Sequence, residues 1–160
     1  MNKDELLSLL SKEGQDLLAQ IDYNTKLDIV KTITKLRAQG HDPALIANAL
    51  TQAKLRNRAE AKFPGFAQRM FFTEGALEQA SRLQVAALHA NRFKQAGVTQ
   101  VADLGCGIGA ESLAFASLDL NVNAYEIDEV TAAIAAYNLA IFPNVKVATQ
   151  DVTKLDLKQH

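Results

Sequence analysis

The chain has 160 residues, 48% apolar and 22% charged, a balance that supports a buried core and argues against disorder. No apolar run approaches the roughly 18 residues needed to span a bilayer, and MNKDELLSLLSKEG sets acids beside a short apolar stretch, unlike a secretory signal. One cysteine and three scattered histidines offer neither an internal disulfide nor a zinc site, so a reducing cytoplasmic setting is expected, with no metal and no membrane. The net charge of −1 is divided unevenly: residues 1–97 carry +4 and residues 98–160 carry −5. Any nucleic-acid contact is therefore expected in the first half, with a boundary near Gly97.

Residues 3–62 read as helical. Leu6, Leu7, Leu9, Leu10, Leu17, Leu18 and Ile21 give a helical apolar spacing, with an interruption expected at Gly14. A second helix is expected from about Asn24 to Gln39, with Gly40 as its C-terminal cap. Asp42-Pro43 supplies an N-cap and a first-turn proline for a third, running through ALIANALTQAKLRNRAEAK. Phe63-Pro64-Gly65 ends it and opens a phenylalanine-rich loop. Thr73 can start another helix, and Ser81 with Gln84 forms a possible capping box at the next.

After Gly97 the pattern changes. VTQVADL, NVNAYEI and NVKVATQDV read as strands, separated by GCGIGAESLAFASL and DEVTAAIAAYNLA, each containing a helix. Strands alternating with helices imply βαβ units and a parallel sheet.

The segment from Asp103 to Ala110 lies where the first strand ends and a helix begins. Glycines at 105, 107 and 109 let the backbone turn tightly and approach a ligand, and the amides of the following helix point into the same space. The string also satisfies the dinucleotide pattern GxGxxG/A through Gly105, Gly107 and Ala110. Two features favour S-adenosylmethionine (SAM). An acid two residues before the first glycine can pair with the ammonium of a bound amino acid, whereas it would repel a pyrophosphate. The D-x-G-x-G-x-G spacing also places a third glycine beneath the amino-acid part of the ligand. The second strand ends in Tyr125-Glu126-Ile127-Asp128. Glu126 is placed to accept both ribose hydroxyls, while Asp128 suits a helix cap. The third strand ends in Gln150-Asp151-Val152, where Asp151 can accept from an adenine amino group and the Val152 amide can donate to the ring. Taken singly, each acid could equally be a cap or loop residue.

VADLGCGIGA, NVNAYEID and VATQDV resemble motifs I, II and III of class I SAM-dependent methyltransferases, over roughly residues 98–156. The resemblance implies an α/β fold: an N-terminal helical domain (1–72) and the first half, about three parallel strands, of a Rossmann-like domain (73–160). It implies SAM as cofactor, with Asp103, Gly105, Gly107 and Gly109 on the methionine end, Glu126 on the ribose, and Asp151 with Val152 on the adenine. Cys106 and Ile127 complete the expected cofactor-binding set as neighbours in the same loops. FAQRMFFTEGALEQASRLQVAALHANRF is similar to the segment preceding motif I in bacterial methyltransferases with a THUMP-like domain, and more distantly to trimethylguanosine-synthase-like enzymes. Those relatives imply an RNA acceptor, at a base nitrogen.

The chain departs from that pattern in lacking a [DN]PP[FYW] motif after Asp151. It therefore reads as the N-terminal part of a longer enzyme, in strand order 3-2-1 with the first strand an open edge; the alternative is that the helical region covers that edge. No general base can be named. A catalytically incomplete SAM-binding or scaffold module is the competing functional reading, and a dinucleotide oxidoreductase a third.

Lys54, Arg58 and Lys62 recur every fourth residue, with Arg56, Arg69 and several phenylalanines nearby, so region 54–72 can be read as an RNA-facing patch. The reading preferred over it is a solvated helix face followed by phenylalanines buried in the domain junction. Cys106 as a nucleophile, His89 as a base, and Tyr125 or Thr73 beside the cofactor are weaker readings than packing or capping.

Overall fold

The computed structural model describes residues 1–23 and 27–154. Its first part contains helices α1 (Lys3–Leu10), α2 (Lys12–Gln20), α3 (Ile29–Ala38) and α4 (Pro43–Ala59). The interruption expected at Gly14 falls at Ser11 instead. Ser11 ends α1 and caps α2, its hydroxyl accepting from the Gly14 amide at 3.1 Å. Gly14 lies within α2, where a Cβ would stand 2.3 Å from the Ser8 carbonyl oxygen. The glycine is thus required for close approach of α1 and α2, not for breaking the helix.

Asn24, the expected start of the second helix, lies outside the described residues. Asp28 caps the described helix by accepting from the Lys31 amide at 3.0 Å. Gly40 closes it as expected, with the amides of Gly40 and His41 donating back to Arg37 and Leu36. Asp42 caps α4 through the Leu45 amide at 2.9 Å, with Pro43 in the first turn.

Two further helices, α5 (Glu74–Gln79) and α6 (Leu83–Gln95), lead to the sheet. Thr73 caps α5 as its position suggests. The expected Ser81–Gln84 capping box does not form. Arg82 is the N-cap of α6 without a side-chain bond, and the Leu83 amide donates instead to the Lys62 carbonyl at 2.8 Å.

The remaining elements are β1 (Gln100–Leu104), α7 (Ala110–Ser117), β2 (Asn121–Glu126), α8 (Glu129–Leu139) and β3 (Val145–Thr149). The strands are parallel in the order β1-β2-β3, with Val101 opposite Val122 and Val122 opposite Val145. This is the expected 3-2-1 order read from the other side. Helices α7 and α8 lie on the sheet, and Val101, Val122 and Ala124 are buried. Among the described residues β1 pairs only with β2, and Gln100, Ala102 and Leu104 are exposed. The helical part meets α8 rather than covering that edge: Lys3 pairs with Glu129, and the Tyr137 hydroxyl donates to Gln15. The architecture is a helical N-terminal region joined to a three-stranded, partial Rossmann-like fold.

One apolar core runs through both parts. It extends from Leu6 and Leu17, through Phe63, Phe71 and Phe72, to Ile134 and Leu139. The three phenylalanines are completely buried, each contributing about 1.5–3 kcal/mol by removal from water. Phe71 and Phe72 are also fixed through their backbones. Asn138 of α8 exchanges hydrogen bonds with both polar groups of Phe71, and Gln52 of α4 does the same with Phe72.

Candidate cofactor site

The site begins where β1 gives way to a loop that a side chain would strain. Gly105, Gly107 and Gly109 have φ of 89°, 55° and 90°, the left-handed region where a Cβ clashes with its own backbone. The amides of Gly105 and Cys106 both donate to the Tyr125 carbonyl at 2.9 Å, so the loop is tied across to β2. Glu126, at the end of β2, completes the tie. One of its oxygens accepts from the Gly107 amide at 3.0 Å, and the other accepts from the Ile127 and Asp128 amides at 2.9 and 3.1 Å. Loop and acid therefore form one unit.

Opposite that unit lie Thr73, α5 and the residues that follow it. Between them is a cleft of about 390 Å³, with Ala76, Gln79 and Ser81 on one side and Gly107, Glu111 and Glu126 on the other. Such a volume suits a nucleoside-sized ligand. Among the described residues, the only charged side chains lining the cleft are the two glutamates. It is a place for a cation or a neutral ligand, and two carboxylates would repel a pyrophosphate.

The expected site residues do not all meet at the cleft. Cys106, Gly107 and Glu126 line the cleft, with Gly105 adjoining them in the loop. Asp103 stands behind it, accepting from the Ser112 hydroxyl at 2.6 Å; burial pushes its carboxyl above the usual range, against the pull of that bond. Gly109 faces the core, where a Cβ would come within 2.8 Å of Leu139 Cδ1. The Ile127 side chain is exposed. Asp151 and Val152 follow β3 and do not line the cleft. Asp151 accepts from the Thr153 amide and hydroxyl at 3.0 and 2.7 Å, which holds its carboxyl below the usual range. Asp128 caps α8 through Thr131.

Sequence reasoning missed the far wall. Gly75, Ala76 and Gln79 carry no motif, and a helix cap was sufficient reason for Thr73 and Ser81; Glu111, on the loop side, was missed as well. Lys62 positions that wall: its ammonium donates to the carbonyls of Leu77, Glu78 and Ala80 at 2.7–2.9 Å, closing the C-terminus of α5. Arg58 pairs with Glu74 at the other end of the helix.

These contacts give part of region 54–72 a role within the fold. Phe63, Phe71 and Phe72 have no exposed face on which a base could stack. Arg56 lies over the Phe71 ring at 4.9 Å and donates to the Met70 carbonyl at 2.9 Å. With Arg58 and Lys62 also engaged, three of the basic groups support the fold.

Cys106 is buried, and that burial, with Asp103 and Glu126 nearby, pushes its thiol up to about 12. It is a protonated packing group rather than a nucleophile. Tyr125 is likewise buried. Among the described residues no group of three or more His, Cys, Asp or Glu side chains is placed to hold a metal ion, and no helix is long and apolar enough to cross a membrane.

Comparison with known families agrees with this geometry. A family described as "Methyltransferase small domain" matches residues 66–159, more than half of the chain and the whole of the cleft. The chain belongs to the methyltransferase small domain family. A second family, described as a domain of unknown function (DUF8688), matches residues 3–59. This methyltransferase-family chain is also similar to the protein named ribosomal RNA small subunit methyltransferase A in Streptococcus pneumoniae strains ATCC 700669 / Spain 23F-1 and 70585. Each is 42% identical over 60 residues, which is 38% of this chain and 21% of the relative. The matched stretch thus spans about a fifth of those proteins.

Proposed function

We propose that the chain binds SAM in the cleft between α5 and the 105–109 loop, and serves methyl transfer from SAM to a base nitrogen of RNA. The observation carrying this reading is the bond from the Gly107 amide to Glu126. It brings motif I and the acid of β2 together on a cleft whose only charges, among the described residues, are negative. Bound SAM supplies a methyl group already activated on a sulfonium, so the protein contributes mainly orientation and proximity. Glu126 would receive the ribose through the acceptor site that its three amide bonds leave on Oε2, and the glycine loop would leave room for the methionine end. Asp151 and the Val152 amide, at the end of β3 and off the cleft itself, would meet an adenine that extends past the end of β2. The RNA acceptor is supported by the name of the streptococcal relatives and by the likeness of residues 66–93 to THUMP-containing and trimethylguanosine-synthase-like enzymes. Residues 1–72 then act as a helical support for the cofactor half, in a protein of the cytoplasm.

A second reading is a SAM-binding module without turnover. Calorimetry with SAM, S-adenosylhomocysteine and NAD tests the cofactor, with binding of the first two and not the third expected. Transfer of a labelled methyl group to total RNA then separates the readings. Binding without transfer supports the module; tight NAD binding without SAM binding overturns both.

A further inference from the structure

Of the acids near the loop, Asp103 is the one that motif I nominates for the ligand's ammonium, yet its geometry is poor for that task. Its carboxylate stands behind the cleft, accepts from Ser112 at 2.6 Å, and is desolvated enough to disfavour its charge. Glu126 is anchored by three backbone amides. Glu111 differs from both. It occupies the second position of α7, lines the cleft, and has a side chain 26% exposed. Its described side-chain partner is His89 of α6, whose Nδ1 lies 3.3 and 3.2 Å from the two carboxylate oxygens.

We infer that Glu111, braced by His89, is the carboxylate that receives the α-ammonium of the ligand's amino-acid end. The inference rests on the SAM reading and refines it. A carboxylate with spare lone pairs, on the wall of a cleft that no cation lines among the described residues, is the strongest available acceptor for an ammonium. One bonded neighbour on the adjacent helix limits its rotamers without using all its acceptor sites. His89 is a positioning residue: its ring N–H holds the carboxylate in place and does not itself touch the ligand. An acid in the first turn of a helix also stabilises that helix through its dipole. That effect, however, does not depend on whether the ligand carries an amino group.

The ligand's own chemistry therefore supplies the test. The full chain is titrated by calorimetry with S-adenosylhomocysteine and with 5′-methylthioadenosine, which keeps the nucleoside thioether and lacks the amino acid. Loss of a charge-assisted hydrogen bond in Glu111→Gln should weaken S-adenosylhomocysteine roughly tenfold to hundredfold, while methylthioadenosine affinity stays within about twofold. His89→Ala should weaken S-adenosylhomocysteine by a smaller factor, and His89→Gln, which keeps an N–H donor, should restore it. Equal losses for both ligands would assign Glu111 to the fold and overturn the inference. So would unchanged affinities, or a larger selective loss in Asp103→Asn than in Glu111→Gln. A wild-type chain that binds neither ligand removes the SAM reading itself, and this assignment with it.

Discussion

Asn138 holds Phe71 by both ends of its peptide group: its amide oxygen accepts from the Phe71 N–H at 2.7 Å, and its amide nitrogen donates to the Phe71 carbonyl at 3.1 Å. The same nitrogen donates to the Ile108 carbonyl in the glycine loop at 3.0 Å. One buried side chain on α8 therefore couples the helical region to the cofactor loop. Phe71 is further enclosed by the Arg56 guanidinium and by the edge-on Tyr137 ring at 4.8 Å.

Replacing Asn138 with leucine should be costly, because it leaves three backbone groups of Phe71 and Ile108 without partners in the core. Each buried unpaired group costs about 1–3 kcal/mol, so a loss of roughly 3 kcal/mol or more is expected. Urea unfolding would measure it, and the affinity for S-adenosylhomocysteine should fall in the same variant because Ile108 lines the cleft. An unchanged midpoint would show that the coupling contributes nothing.

Gly107 and Gly109 should fail in different ways when changed to alanine. At Gly109 the new methyl meets Leu139 at 2.8 Å, and φ is 90°. Overpacking and left-handed strain together should cost about 2–4 kcal/mol. At Gly107 a Cβ meets nothing within 4 Å, so only the backbone strain of about 1–2 kcal/mol applies. Gly107 lines the cleft, however, and Gly107→Ala should lose most of its ligand affinity while remaining folded. Paired unfolding and binding curves decide whether the two positions divide in this way.

Asp103 carries a pH signature. Burial raises its folded-state pKa, so relative to the unfolded chain its ionisation disfavours folding. The stability it contributes is present below the unfolded value and is lost as pH rises through the folded one. Asp103→Asn should therefore be more stable than the wild type at pH 7, and the difference should shrink as the pH falls and the wild-type carboxyl protonates. Urea midpoints at pH 7 and pH 4 provide the comparison. A constant gap would show that desolvation of this acid is not what separates the two proteins.

Most of what was legible in the sequence is local or lies at fixed register. Asp42 before Pro43, Gly40 after a helical run, and Thr73 before Glu74 are signals within a single turn, and each has the expected role. The pairing of the glycine loop with Glu126 was also readable, because adjacent parallel strands bring their ends together. The Ser81–Gln84 box shows the limit: α6 takes Arg82 rather than Ser81 as its N-cap, and the first amide of the helix, that of Leu83, bonds to the distant Lys62 carbonyl. Asn138 and Phe71 are 67 positions apart, and Gln52 and Phe72 are 20 apart. No spacing rule connects such pairs. The α5 wall was hidden for the same reason, since its residues become cleft residues only once Lys62 and Arg58 fix the helix.

The Cys106 thiol should be unreactive in the folded protein. With its pKa pushed up to about 12, thiolate is scarce at pH 8, whereas an unfolded cysteine titrates near 8.5. Reaction with a chromogenic disulfide at pH 8 should be slow in buffer and fast in urea, and a rate in buffer matching the unfolded rate would contradict this assignment. The sign is that of a raised pKa: this group's contribution to stability is complete below the unfolded value and declines between there and about pH 12.

Lys54 and Lys62 share a sequence spacing but have different surroundings, which separates the RNA-patch reading from the structural one. Lys54 is exposed on α4, whereas Lys62 donates to three carbonyls at the end of α5. Lys62→Met removes the cation that satisfies those carbonyls and interacts favourably with the helix C-terminus, an effect of about 1–2 kcal/mol. Hydrogen exchange in α5 should then accelerate before the rest of the molecule, and ligand affinity should fall because Gln79 and Ser81 lose their position on the cleft wall. Lys54→Met should leave both measurements near the wild type. If instead the two variants weaken RNA binding alike while α5 keeps its protection, Lys62 belongs to an electrostatic surface after all, and its three carbonyl bonds do not govern the cleft.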